Sequence, residues 1–378
     1  MKSCSKCLVS ETSDTISFDD AGVCGPCNQV AKNFTGEIDW ASRREMLDDL
    51  VAKAKARGDR YDCILPFSGG KDSSFQLWFV ATQLKMRPLV VRYNHFGYRA
   101  VLERNNIRTF KRLGVEVVDI RANWHVVVAM MKEYLFRRGD SCGHCHLGVS
   151  TAPLQMALKF GVPLIFYGES LAEYQSFGYD LDKFEEWDEV RFNRAMSLGI
   201  RAEDLANFLD GQIDPRDLEP FKFPPKSELD ALGVKAICLG NYIQWDTKGQ
   251  VEIIKRELGW EGDEVEGIPP EFDYEKIECQ FQGVRDWLKY IKRGFGRTNH
   301  LANIEIRHGR MSRVRGEQMA RCYDGHEPAS LGWFLQTVGI TRDEFYEIAA
   351  THVVDPWEGV DPAKVEVGEP LKDQKEWV

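Results

Sequence analysis

Five short apolar runs stand at residues 63–67, 88–93, 115–120, 163–167 and 234–240, and stretches with apolar residues at helical spacing separate them. Alternating strands and helices predict an α/β fold with a parallel, doubly wound sheet, whose ligands bind at the carboxyl ends of the strands. Before the first run, Met46, Leu47, Leu50, Val51 and Ala54 recur at helical spacing until Gly58 stops the helix. A long acidic insertion, roughly 178–230, is punctuated by Asp214-Pro215 and Pro224-Pro225 and predicts a helical lid. Past residue 265 the strand signal fades. Trp287, Leu288 and Ile291, then Phe334, Leu335 and Val338, then Phe345, Ile348 and Ala349 predict short helices. Residues 1–36 show little periodicity, so the chain divides into a small module at 1–36, an α/β domain at 37–265 and a mostly helical region at 266–378.

Composition narrows the class. With 378 residues and 43% apolar side chains, a sizeable core is expected, and no apolar run is long enough to span a bilayer. No apolar signal segment opens the chain, so a cytoplasmic protein is expected, without membrane partners. A net charge of −10 argues against a surface built for nucleic acid. Charge is uneven, however: Lys276–His326 holds eleven Lys/Arg against five Asp/Glu, and Glu327–Val378 holds four against eleven. The basic segment is a candidate surface for an anionic ligand, with a solvated helical face as its alternative.

The sharpest chemical signal is Ser68-Gly69-Gly70-Lys71-Asp72-Ser73-Ser74, between the first apolar run and a helical stretch. Two glycines allow close backbone approach, the amides of a helix start face an anion, and Lys71, Ser68 and Ser73 add donors. The spacing is not that of a Walker loop. It resembles the SGGKDS loop of the PP-loop ATPases, which split ATP between its α- and β-phosphates and activate a substrate oxygen as its AMP adduct. That resemblance implies ATP and Mg²⁺ as cofactors and places Ser68 to Ser74 at the nucleotide. Tyr93 at the end of the second run, and Gly168 and Glu169 at the end of the fourth, are then expected to face ATP as well. Lys71 would stabilise phosphate charge, and Asp72 would hold the metal ion or cap the helix.

Cys4-x-x-Cys7 and Cys24-x-x-Cys27, sixteen residues apart, have the spacing of a structural Cys₄ zinc knuckle. Cys142-Gly-His-Cys145-His is less specific: a packed turn, a zinc site or an iron–sulfur cluster are all open. Sulfur-transferring PP-loop enzymes acting on tRNA have a comparable pair and a third cysteine near the fifth strand, a place that Cys238 takes here. Cys63, Cys279 and Cys322 read as buried small apolar residues.

The segments Lys235–Asp246, Gly294–Thr298 and Ile306–Arg313, with the knuckle and the loop, resemble the N-acetyl sugar amidotransferase family of surface-polysaccharide biosynthesis. That family resemblance implies adenylation of the amide oxygen of an acetamido group on a nucleotide-linked sugar such as a diacetamido uronic acid. Ammonia then displaces AMP to leave an acetamidino group for lipopolysaccharide O-antigen. Arg307, Arg310 and Arg313, at i, i+3 and i+6, become candidates for the sugar's diphosphate or carboxylate if the segment is helical; Gly309 makes a loop the alternative, and solvated surface charge is the other reading. No N-terminal cysteine nucleophile or G-x-C-x-G elbow is read, so separate glutaminase and cyclase-like subunits are expected to supply ammonia. Two other readings stand beside this one: a tRNA thiolase with a cluster at Cys142, Cys145 and Cys238, and an ATP-sensing scaffold without turnover.

Overall fold

The computed structural model describes residues 1–168, 189–190, 193 and 197–368. All five expected strands form: β1 Cys63–Pro66, β2 Pro88–Asn94, β3 Glu116–Arg121, β4 Leu164–Tyr167 and β5 Lys235–Cys238. They make one parallel sheet in the order β3-β2-β1-β4-β5. The chain runs outward from β1 to β3 and then returns to the other side of β1, so the strand order reverses between β1 and β4. A crevice opens at such a reversal, above the carboxyl ends of the strands.

The helices among the described residues begin with α1 Gly25–Thr35, α2 Trp40–Ala56, α3 Lys71–Trp78, α4 Ala100–Leu113, α5 Trp124–Arg138 and α6 Gly143–Phe160. After β4 come α7 Ala202–Phe208, α8 Lys226–Leu232 and α9 Thr247–Leu258. The chain continues with α10 Gln282–Arg293, α11 Arg297–Arg307, α12 Arg313–Tyr323, α13 Leu331–Val338 and α14 Arg342–Ala350.

Strand alternation sorts the core into layers. Leu65, Val90, Phe166 and Ile237 pack against Leu47 and Val51 of α2, Phe75 and Leu77 of α3, and Ile254 of α9. Ile64, Leu89, Val91, Ile165 and Ala236 face the opposite side, against Ala152, Leu154 and Ala157 of α6. Burial on both faces is what lets these strands read as plain apolar runs rather than alternating ones. A second core joins α5 and α6 to α10, α13 and α14 through Met130, Leu147, Trp287, Phe334 and Phe345.

The insertion after β4 falls partly outside the described residues. Its described portion supplies Leu205, Leu218 and Phe221 to the second core, and Thr151 of α6 donates to the Pro220 carbonyl at 2.7 Å. That portion buttresses α6. Among the described residues no helix is long and apolar enough to cross a membrane.

The N-terminal module ends at Gly36, a left-handed cap of α1. It docks far along the chain. Leu8 N donates to Asn303 Oδ1 at 2.5 Å, and Thr12 Oγ1 donates to the Arg293 carbonyl at 2.7 Å.

Candidate functional site

The loop leaves β1 beside the strand-order reversal. Phe67 N still donates to Val91 O at 2.9 Å, after which Ser68-Gly69-Gly70 turns into α3. The turn is closed by its own serines: Gly69 N donates to Ser73 Oγ at 3.0 Å, Gly70 N to Ser68 Oγ at 3.3 Å, and Ser74 Oγ to Gly69 O at 3.2 Å. Trp260 Nε1 also donates to Gly69 O, at 3.2 Å, tying the turn to the segment after α9. Gly69 has φ +91°, which an L side chain adopts only under strain. A Cβ there would also lie 2.1 Å from the Asn106 amide, and a Cβ on Gly70 would lie 1.9 Å from Glu278 Oε1. A side chain at either position would have to displace the Asn106 or Glu278 side chain opposite it.

Lys71 and Asp72 form the first turn of α3. The Lys71 ammonium is buried, 2.8 Å from Asp72 Oδ2 and 2.9 Å from Glu275 Oε2. Asp72 Oδ1 is buried with no hydrogen-bond partner, an acceptor left over for a cation. Glu275 is itself buried, and burial alone would raise its pKa. The positive charges of Lys71, Lys276 and Arg297 outweigh that penalty and hold it at about 2. Arg297 Nη1 stands 3.7 Å from Glu275 Oε1, and its Nη2 is 2.9 Å from Asp286 Oδ1. Arg297 opens α11, whose first amides at Thr298 and Asn299, with that of Gly296, donate to the Asp324 carboxylate at 2.9 to 3.1 Å. A continuous chain of charges thus runs from the loop, through Glu275 and Arg297, into the helical region.

Neither Glu275 nor Glu278 stood out in the sequence. They sit in an aperiodic run of turns between Asp273 and Gln280 that straps across the loop, and no local pattern marks them.

Other sequence candidates go elsewhere. Tyr93 is turned inward: its ring meets Phe221 edge-on, and a Cβ on Gly148 of α6 would lie 2.4 Å from it. Its hydroxyl is buried without a partner. Gly168 follows β4 and accepts a bond from Gly240 N at 3.0 Å, with room for a side chain. Glu169 lies outside the described residues.

The three arginines do not converge on the loop. Arg307 Nη2 lies 3.8 Å from Cys7 Sγ. Arg310 is 2.9 Å from Glu305 and 3.0 Å from Asp246, and Arg313 Nη1 donates to the carbonyls of Cys4 and Cys7. Gly309, at φ +69°, breaks what would have been one helical face into α11 and α12.

Cys4, Cys7, Cys24 and Cys27 are all buried, with their four sulfur atoms within 4.8 Å of one another. Three amides, of Lys6, Cys7 and Cys24, donate to Cys4 Sγ at 3.2 to 3.5 Å. This donor set fits one tetrahedral ion. Cys142, Cys145 and Cys238 are different: among the described residues their sulfurs do not gather within that single-ion distance, a spacing that a cluster with one cysteine on each iron does not need. Cys238 ends β5 beside Tyr167, and Cys142 and Cys145 stand at the start of α6, the helix that covers the Ala236 face of the sheet. The residue whose thiol feels both is Cys279, on the strap; burial first, then their charges, raises its pKa. Burial likewise pushes Cys142 up to about 11 and Cys145 up to about 12.

A family described as "LPS biosynthesis protein WbpG-like, C-terminal domain" matches residues 271–358, a span holding Glu275, Glu278, Arg297 and all three arginines. An uncharacterized protein of Methanocaldococcus jannaschii is 25% identical over 171 residues, which cover 44% of this chain and 59% of the relative. The match thus spans less than two thirds of that relative's length. Among solved structures, the U34-tRNA thiolase NcsA from Methanococcus maripaludis with its [4Fe-4S] cluster is similar at TM-score 0.32 and 14% identity, over 85% of this chain and 89% of that one.

Proposed function

We propose that this chain is an ATP-dependent, AMP-forming amidotransferase of lipopolysaccharide or related surface-glycan biosynthesis. It converts an acetamido group on a nucleotide-linked sugar to an acetamidino group. The observation that carries the reading is the chain Lys71–Glu275–Arg297. It joins an SGGKDS loop to the region matched by a lipopolysaccharide-biosynthesis domain, so both belong to one site.

In this reading the turn at Ser68 to Ser74 receives the β- and γ-phosphates of ATP. Gly69 and Gly70 admit the phosphates without side-chain obstruction, and the start of α3 directs its amides at them. Lys71, held by two carboxylates, stabilises the charge that builds on the departing pyrophosphate. Asp72 offers its unpartnered Oδ1 to Mg²⁺, which when bound would neutralise phosphate charge. The acetamido oxygen attacks the α-phosphorus, its bond to pyrophosphate breaks, and the amide carbon becomes electrophilic. Ammonia adds there and AMP leaves. A separate glutaminase with a cyclase-like subunit supplies the ammonia. The Cys₄ centre has no open ligand position and takes a structural part.

The test is incubation with ATP, ammonium and a panel of nucleotide-linked acetamido sugars, read by mass spectrometry and nucleotide analysis. The expected result is AMP with a sugar lighter by exchange of oxygen for NH. ADP in place of AMP, or sulfur transfer to tRNA without sugar conversion, overturns the reading.

A further inference from the structure

A buried guanidinium needs an anion. Arg307, the last residue of α11, has Nε and Nη1 buried with no hydrogen-bond partner, and it forms no salt bridge among the described residues. Two carboxylates of this region are committed elsewhere: Glu305, two residues earlier on α11, takes Arg310 at 2.9 Å and Lys248 at 2.6 Å, and Asp246 takes Arg310 at 3.0 Å. Leaving such a charge buried and uncompensated would cost about 3–5 kcal/mol. What Arg307 does face is sulfur: its Nη2 is 3.8 Å from Cys7 Sγ, in the group of four buried cysteines.

We propose that Arg307 is the counter-charge of a metal–tetrathiolate centre at Cys4, Cys7, Cys24 and Cys27, and that the metal thereby holds α11 to the N-terminal module. Four neutral thiols would give the guanidinium nothing to balance. A divalent ion on four thiolates carries a net double negative charge, and one buried arginine offsets half of it. The surrounding contacts serve the same joint. Arg313 donates to the carbonyls of Cys4 and Cys7, fixing the first Cys-x-x-Cys turn from the next helix, and Asn303 on α11 accepts from Leu8 N at 2.5 Å.

The consequence reaches beyond the knuckle. The opposite end of α11 is Arg297, which stands 3.7 Å from Glu275, the partner of Lys71. One helix of eleven residues therefore has a metal-facing end and a loop-facing end. The metal acts on the loop by position alone. This inference rests on the four-cysteine geometry and not on the amidotransferase reading.

The experiment uses the full chain as purified. Metal content is measured by mass spectrometry, then the rate of zinc release to a chromogenic chelator is compared for wild type, Arg307→Met and Arg307→Lys. Removing a group that orients or balances metal ligands commonly costs roughly 10–100-fold in affinity. Arg307→Met is expected to release zinc at least about tenfold faster, and Arg307→Lys to stay near wild type. Hydrogen exchange of wild type before and after chelation supplies a readout that needs no variant: amides in the last turns of α11 should lose protection while those of α6 keep theirs. Release from Arg307→Met within twofold of wild type, unchanged α11 protection after chelation, or protein purified without metal overturns the proposal.

Discussion

Lys71 Nζ lies 2.9 Å from Glu275 Oε2, joining the first turn of α3 to a strap far later in the chain, and both side chains are buried. The contact makes the loop's cation part of a two-region site. Lys71→Gln is expected to lower AMP formation by roughly 10²–10³-fold, the usual loss when one charge-stabilising donor is removed. Glu275→Gln keeps the shape and should cost less, because Asp72 still holds the ammonium at 2.8 Å. Steady-state release of AMP, with circular dichroism as a check on folding, measures both. Near-normal turnover in Lys71→Gln would remove it from the chemistry.

The same pair sets an acid limit on stability. Glu275 titrates near 2 when folded, below an ordinary value of 4.5, because Lys71, Lys276 and Arg297 overcome its burial. A depressed carboxylate contributes stability that is fully present above the unfolded pKa and is lost as pH falls through the folded one. The contribution, on the order of 3 kcal/mol, should therefore disappear between about pH 4.5 and 2. Thermal midpoints of wild type and Glu275→Gln are expected to differ most above pH 5 and to converge toward pH 2. A difference that stays constant across that window would show that the pair is not what acid breaks.

Gly70 is constrained by one neighbour. Its backbone angles are ordinary, at φ −68° and ψ 177°, so alanine fails there only because its Cβ would fall 1.9 Å from Glu278 Oε1. Gly70→Ala should lower the thermal midpoint, and Gly70→Ala with Glu278→Ala should recover most of that loss. At Gly69 the positive φ adds backbone strain of about 1 kcal/mol or more, so relief of its Asn106 contact should recover only part. Calorimetry of the two single and two double variants separates the cases. An unrecovered Gly70→Ala, Glu278→Ala double variant would mean that contact with Glu278 is not what alanine costs at Gly70.

These relationships mark where the sequence was readable. Buried parallel strands such as Ile64-Leu65 and Leu89-Val90-Val91 carry their signal in a few adjacent residues, and the loop and the two Cys-x-x-Cys pairs do the same. Glu275 carries none: it lies in turns, and its meaning comes from a partner on another part of the chain. Arg307, Arg310 and Arg313 were half legible for a related reason. Their spacing allowed one helical face and Gly309 allowed a loop; the break at Gly309 forms, and two of the three side chains meet the N-terminal module, which no local charge pattern could indicate. Tyr93 was expected at the nucleotide because its strand ends there, yet strand alternation sends its ring under Gly148.

The two cysteine groups make opposite predictions. The sulfurs of Cys4, Cys7, Cys24 and Cys27 already lie within 4.8 Å, so an ion needs little rearrangement, and binding energy becomes folding energy. Cys4→Ser removes one ligand together with the sulfur that three amides donate to. It should lose the bound metal and several kcal/mol of stability, a modest share of the about 10–16 kcal/mol that structural zinc supplies to small zinc-finger peptides. Cys238→Ser should leave the zinc-to-protein ratio unchanged, since Cys238 is not one of the four gathered sulfurs. If protein isolated without oxygen carries a visible chromophore, Cys142→Ser and Cys238→Ser should both bleach it, as expected of one cluster with three cysteine ligands. Bleaching by Cys142→Ser without bleaching by Cys238→Ser would remove β5 from that centre.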